Sequence, residues 1–401
     1  MKIKVKSEDF IVEEIADVTL LKEGDYGLYL HEKRGWNTID LLKRLSREFD
    51  IPFKDLSYGG KKDRHALTRQ HVTIKFSKAV VRGPGHFEVR RDEYSLQFLG
   101  QANRPMGPDL IRGNRFTIVV RDLSRGEVQS ALASLEGVKT MGFPNHYDDQ
   151  RFGSFDRRQG FIAEKILRGH YNGALKIYLT HIRPEDRGEE KERKRFLLDA
   201  WSDWRGCLER AKSETEERSF SLLMEKPKDF IHPLQKIPRE EMSLFFSAYQ
   251  SFLWNELLRR VLRTRTESPL LAYPGVVGDY LFYDSLDREN LEYFQGLEIP
   301  TPASRLTMPD TLTGSLYSEV LKENGVRPPQ FNNRRIRQAF FRATARKAIV
   351  LPQYLSAEIA EDEVYPGRIE LVLKFILPRG SYATMLIKRL FSRYPEPTIG
   401  K

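Results

Sequence analysis

Tyr58-Gly59-Gly60-Lys61-Lys62-Asp63-Arg64-His65-Ala66-Leu67-Thr68-Arg69-Gln70 is a glycine pair, then a lone acid among cations, then the start of an alternating run that continues through Val72, Ile74 and Phe76. The alternation predicts a strand with one buried face. Two adjacent glycines let the backbone turn tightly and come close to a ligand. The neighbours Lys61, Lys62, Arg64 and Arg69 favour a charged carboxylate at Asp63. A basic loop bearing one acid is therefore expected just ahead of a buried strand. Taken alone, such a loop reads as a solvated turn. The rest of the chain decides whether it does chemistry.

Before the loop, residues 2–30 read as strands, with Ile3 and Val5 alternating with lysines and residues 9–15 continuing the pattern. Asn37 or Thr38 can cap a helix that carries Ile39, Leu42, Leu45 and Phe49 on one face and stops at Pro52. Beyond the loop, Gly83-Pro84-Gly85 signals a turn. Phe87, Val89, Tyr94, Leu96 and Phe98 signal further strands. Residues 113–121 form another strand, and Ser124 with Glu127 has the spacing of a capping box for the helix that follows. This is α+β texture with a mixed, mainly antiparallel sheet; strands and helices do not alternate regularly enough for a doubly wound parallel sheet. The stretch 142–154, rich in aromatics and amides, has neither period. It reads as a loop able to bind RNA by stacking or as a surface linker. Residues 156–264 are mainly helical, with the charge run 185–195 on a solvated face, and Phe245, Tyr249, Phe252, Leu253, Leu257 and Val261 as core. Short strands follow around Gly275 and Gly278. The α/β texture then returns, with a buried strand at 369–377 and a turn at 380–384 into a last helix. The chain thus divides into one domain of residues 1–150 with 336–401 and a mainly helical α+β insertion of residues 151–335.

At 401 residues, two domains are the default. The formal net charge of +10 suggests an acidic partner, most commonly nucleic acid. The single cysteine, Cys207, excludes an internal disulfide and a cysteine-rich zinc site. The N-terminus lacks the apolar core of a signal peptide, and no apolar run approaches transmembrane length. A cytoplasmic protein with no membrane partner is expected. P-loop, dinucleotide-binding, zinc-protease and nucleophile-elbow motifs are absent, and the eight histidines have no metal spacing. What remains is a carboxylate able to act as nucleophile or base without a cofactor. Several aromatics near turns could hold a base flipped from folded RNA.

Five stretches give this reading a family. Gly60-x-Lys62-Asp63-x-x-Ala66-x-Thr68-x-Gln70 resembles the signature of the TruD family of tRNA pseudouridine synthases. Ile3-Lys4 with Ser7-Glu8-Asp9-Phe10-Ile11-Val12-Glu13-Glu14 agrees, as does Gly113-Asn114-Arg115-Phe116-Thr117-Ile118. So do Pro144-Asn145-His146-Tyr147 with Gln150-Arg151-Phe152-Gly153, and Leu377-Pro378-x-Gly380-Ser381-Tyr382-Ala383-Thr384. They keep the family's order and span the chain. The match is poor between about 155 and 330, where the family carries its own insertion domain. His146-Tyr147-Asp148-Asp149 departs from the family's usual Tyr-Phe-Gly run, and Tyr382 stands where some members have Phe.

The resemblance implies a pseudouridine-synthase catalytic domain interrupted by the insertion. It also implies isomerisation of a tRNA uridine, at position 13, to pseudouridine without metal or small-molecule cofactor. Asp63 would be the catalytic aspartate. Phe116 would stack on the target base, Asn114 would position substrate or loop, Phe10 and Tyr382 would line the pocket, and Lys4 would sit near the carboxylate. Lys61, Lys62, Arg64 and Arg151 are candidates for RNA phosphates. The expected partner is tRNA and the expected state a monomer. The alternative is a non-catalytic RNA-binding protein or RNA chaperone on the same scaffold, for which replacing Asp63 would be silent. A basic enzyme acting on an acidic metabolite would need a phosphate-binding motif that the chain does not supply.

Overall fold

The structure, a computed structural model, describes residues 1–77, 87–183, 185–336 and 341–394. The turn expected at Gly83-Pro84-Gly85 lies outside them. The described chain forms two compact units, Met1–Phe143 with Val350–Tyr394, and Pro144–Ile349. The sequence places these crossings near residues 150 and 335.

The first unit is built on a nine-stranded sheet. In chain order its elements are β1 (Phe10–Ala16), β2 (Tyr26–Lys33), α1 (Thr38–Glu48), β3 (Leu56–Tyr58), β4 (Leu67–Lys75), β5 (Val89–Arg90), β6 (Tyr94–Ala102), β7 (Ile111–Leu123), α2 (Arg125–Met141), β8 (Gln353–Glu361), β9 (Ile369–Pro378) and α3 (Ala383–Leu390). The strand order is β8-β9-β7-β1-β4-β2-β6-β5, with β3 on β4. Only the β1–β4 pair is parallel among the described ladders of this sheet. The sheet is mixed and mainly antiparallel, as expected.

Register decides which side chains share a face. Lys33 pairs with Thr68, Thr68 with Val12, Val12 with Phe116, and Phe116 with Phe375, one row across five strands. Two residues further along, His31 pairs with Gln70, Glu14 with Asn114, and Asn114 with Leu377. One half of this face is sealed by α1. Its Leu41, Leu42 and Leu45 pack with Tyr29, Val72, Ile74, Tyr94 and Leu96 in a single apolar cluster. Along β9, burial alternates: Leu371, Leu373, Phe375 and Leu377 are inside and Lys374 is outside. The capping box of α2 forms as the spacing predicts, with the Ser124 amide donating to Glu127 Oε2 at 2.8 Å and the Glu127 amide to Ser124 Oγ at 3.3 Å.

The second unit is mainly helical, around the long helix Arg239–Arg265, with Phe245, Tyr249, Leu253, Leu257 and Val261 buried. Its short strands Leu271–Tyr273 and Tyr280–Phe282 pair as a hairpin. Two expectations change here. Within the charge run, Arg193 is buried against Glu190 and Glu216 instead of solvated. Residues 144–148 of the stretch 142–154 are buried in this unit and form neither a surface linker nor an open loop, whereas Gln150 and Gly153 are exposed. His146 lies fully buried, 3.1 Å from the Leu281 carbonyl, and Asn255 bonds the backbone of Tyr147 in both directions at 2.8 and 2.9 Å. Asp149 accepts from the Val276 amide and the Tyr280 hydroxyl. The polar and aromatic residues that suggested ligand binding hold an irregular segment inside this unit, where buried polar groups need partners.

Candidate active site

Asp63 lies in the loop between β3 and β4, half-buried, with contacts at both ends of the residue. Lys4 Nζ is paired with Asp63 Oδ2. The His65 amide donates to Oδ1 at 2.9 Å, and Lys33 Nζ donates to the Asp63 carbonyl at 2.9 Å. Lys4 reaches it because the N-terminus runs along β7. Lys2 and Arg121 exchange backbone hydrogen bonds of 2.8 Å, and Asp9 is locked to the buried Arg121 guanidinium at 2.7 Å. Lys4 itself has φ of +59°, a left-handed conformation costly for a side chain of this kind. The fixed ends on either side hold it there.

The loop is fastened to the polar part of the sheet face. Lys62 Nζ lies 2.8 Å from Glu14 Oε2 and donates to Asn114 Oδ1 at 2.8 Å. The Lys62 amide donates to Thr38 Oγ1, and that hydroxyl donates to Gln70 Oε1 at 2.9 Å. Gln70 Nε2 returns to the Gly60 carbonyl at 3.2 Å. Glu14, Asn114 and Gln70 thus act as the floor to which the loop is bound. Burial alone would push the Glu14 carboxyl up. The His71 and Lys62 contacts outweigh it and hold Glu14 below the ordinary glutamate range.

Beside the carboxylate stands an aromatic group. Lys4 Nζ is 4.5 Å from the Phe10 ring centre. Phe10 meets Phe116 edge-on at 6.3 Å, and Phe116 stacks on Phe375 at 5.3 Å. Asp63, Lys4, Phe10, Phe116, Lys62 and Asn114 are therefore joined in one contact network, although they come from three separate segments. Tyr382 sits at the start of α3, where the Met385 amide donates to its carbonyl at 3.0 Å. The preceding turn leaves the sheet at Pro378, which is paired with Gly113, so Tyr382 belongs to the end of the sheet that carries Asn114.

The cations next to Asp63 in sequence point elsewhere. Lys62 serves Glu14 and Asn114, Arg64 donates to the Gly35 carbonyl at 3.2 Å, and Arg69 pairs with Glu13 and Glu32. Lys61 is exposed. Arg151 lies in the second unit and donates to Ser251 Oγ at 3.2 Å. Two cations that contact Asp63, Lys4 and Lys33, are distant in sequence. Lys33 was not singled out by its sequence. The available signal was a lysine at an inward position of a strand whose other inward residues are Tyr29 and His31.

Among the described residues, no group of three or more His, Cys, Asp or Glu is arranged to hold a metal. No helix among them is long and apolar enough to cross a membrane.

Residues 1–390 match the family model of tRNA pseudouridine synthase D (TruD). A relative from Methanococcus maripaludis named for this synthase is 31% identical over 98% of this chain and all of its own. One from Methanocaldococcus jannaschii, named likewise, is 33% identical over 98% of this chain and 92% of its own. A crystal structure from Methanosarcina mazei bearing the TruD name superposes with a TM-score of 0.72 at 25% identity, covering 98% of this chain and 93% of that one. The chain belongs to the tRNA pseudouridine synthase D (TruD) family.

Proposed function

We propose that Asp63 is the catalytic aspartate of this tRNA pseudouridine synthase and that its target is uridine 13. The observation that carries the reading is the meeting of Asp63, Lys4, Phe10, Asn114 and Phe116 in one network on the first unit. The reaction exchanges one bond of the nucleotide for another: C1′–N1 breaks, C1′–C5 forms, C5 gives up its proton and N1 gains one. No oxidation, reduction or hydrolysis is involved. A single carboxylate that adds to the nucleotide and then leaves is sufficient to start it. Asp63 attacks either C6 of the base or C1′ of the ribose, and the uracil turns before the new bond closes.

The surrounding groups suit that task. Lys4 and the His65 amide orient the carboxylate, and a nucleophile held in one orientation reacts faster than a mobile one. Phe116, backed by Phe375 and flanked by Phe10, offers an aromatic wall for a flipped uracil. Asn114, tied to Lys62, positions the loop, and Tyr382 adds a hydroxyl at that end of the sheet. Lys61 is the proposed phosphate contact of the loop, with Arg64 beside it.

The test is Asp63→Asn, assayed by mapping pseudouridine in an unmodified tRNA transcript. The wild-type chain should place it at position 13. The variant should bind the same tRNA and form none. Full turnover by the variant would overturn Asp63 as nucleophile, and product elsewhere would overturn the position alone.

A further inference from the structure

Lys33 ends β2 with no exposed surface. Its ammonium donates to the Trp36 carbonyl at 2.7 Å and to the Asp63 carbonyl at 2.9 Å. The first bond fixes the turn into α1. The second fixes the main chain from which the proposed nucleophile projects. We propose that Lys33 is a positioning residue for the isomerisation, clamping the backbone of Asp63 while Lys4 and the His65 amide hold its carboxylate. The inference rests on the reading of Asp63 as the reacting group.

Taking an ammonium out of water is expensive, and apolar residues of similar volume commonly do better where stability alone is served. Lys33 occupies a row otherwise formed by Thr68, Val12, Phe116 and Phe375, where a methionine would fill the space. The cation is thus a cost to the fold, and what it holds is the loop of the proposed nucleophile. The charged and titratable groups around it are Asp63 and Lys62 of the loop, Tyr94 opposite it on β6 and His31 on its own strand; Lys4 and Glu14 pair in turn with Asp63 and Lys62. Thr68 and Gln70 of β4 and Thr38 of α1 are uncharged. Burial brings the Lys33 ammonium down to about 8; Asp63 opposes this and Lys62 adds to it. A neutral amine keeps two N–H groups for the two carbonyls, but these bonds lose their charge assistance and weaken, so the clamp on the Asp63 backbone loosens. The rate therefore falls as pH rises through about 8.

The experiment compares wild type, Lys33→Met and Asp63→Asn in single-turnover pseudouridine formation on an unmodified tRNA transcript, with tRNA affinity and thermal midpoint measured alongside from about pH 6.5 to 9.5. For Lys33→Met near pH 7, the rate should drop by about tenfold to a hundredfold, with tRNA affinity and thermal midpoint nearly unchanged. The wild type should lose rate above about pH 8, and the variant should not show that step. A full rate in Lys33→Met overturns the inference. So does a rate loss that tracks lost tRNA affinity and a lowered midpoint, since that is a structural role. If the variant does not fold, the wild-type profile decides: a flat rate through pH 8 to 9.5 also overturns it. Turnover by Asp63→Asn defeats the reading of Asp63 itself. Inactive Asp63→Asn beside fully active Lys33→Met defeats only the role of Lys33.

Discussion

Glu14 has no exposed side-chain surface, and its oxygens face Lys62 Nζ at 2.8 Å and the His71 amide at 3.0 Å. Removing one partner of a buried ion pair leaves the other charge uncompensated, at a cost of roughly 3–5 kcal/mol. Glu14→Gln keeps the shape and a hydrogen-bonding oxygen, so the low end applies: a loss of about 3 kcal/mol in denaturant unfolding near neutral pH. A loss under about 1 kcal/mol would show that Lys62 is satisfied by Asn114 alone. The folded carboxyl of Glu14 is held low, so its contribution is present above the unfolded glutamate value and fades as pH drops through the folded one. At this scale the sequence was partly legible. Alternation with Phe10 and Val12 turns Glu14 inward and Glu13 outward. That Lys4 finds Asp63 across 59 residues was implied by the family resemblance and by no local pattern; its physical cause is the course of the N-terminus along β7. The basic neighbours of Asp63 did not point to Lys4 and Lys33, which contact it from distant segments of the chain.

Elements with a strong local rule were read well. The helix α1 has its apolar period and stops before Pro52, and α2 has its capping box. The strand β4 alternates as expected after the loop. The glycine pair required the three-dimensional fold. The sequence suggested close approach to a ligand, whereas Gly59 is close to the protein itself. A Cβ on Gly59 would meet Ile111 Cδ1 at 2.3 Å and the Gly107 carbonyl oxygen at 3.0 Å, while one on Gly60 meets nothing nearer than Ile111 Cδ1 at 3.8 Å. Isoleucine can swing its end away, but the main-chain oxygen cannot follow. Gly59→Ala should therefore cost about 1–3 kcal/mol, as overpacking does. Gly60→Ala should be neutral or slightly stabilising, by up to about 1 kcal/mol, because it restricts the unfolded chain. Thermal unfolding of the two variants checks this. Equal losses would mean that the loop, and not the contact with Ile111 and Gly107, demands glycine. Activity should follow stability at Gly59, whose neighbours anchor the segment that ends at Asp63.

Among the described residues, each compact unit buries one histidine completely, His31 in the first and His146 in the second. Neither ring nitrogen of His31 has a hydrogen-bond partner. Burial, then the nearby Lys33 charge, brings its ring down to about 3; burial, then Arg259, does the same to His146. In the unfolded chain a histidine takes its proton near 6.5. Between about 3 and 6.5 the unfolded state therefore binds more protons than the folded one, and stability falls as pH falls through that window. Above it, the full stability is present. Each histidine contributes a slope of about 1.4 kcal/mol per pH unit, or about 2 kcal/mol lost between pH 6.5 and 5. His31 is the cleaner probe, because His146 also contacts the Leu281 carbonyl. His31→Leu keeps the site apolar and removes the proton uptake. Hydrogen exchange of the β2 and β4 amides, which reports opening of the first unit alone, should then show a gain for the variant over wild type that is about 2 kcal/mol larger at pH 5 than at pH 7.5. The same gain at both pH values would mean that His31 opens to water or finds a proton acceptor before the unit unfolds, and its burial would not explain the acid sensitivity of the sheet.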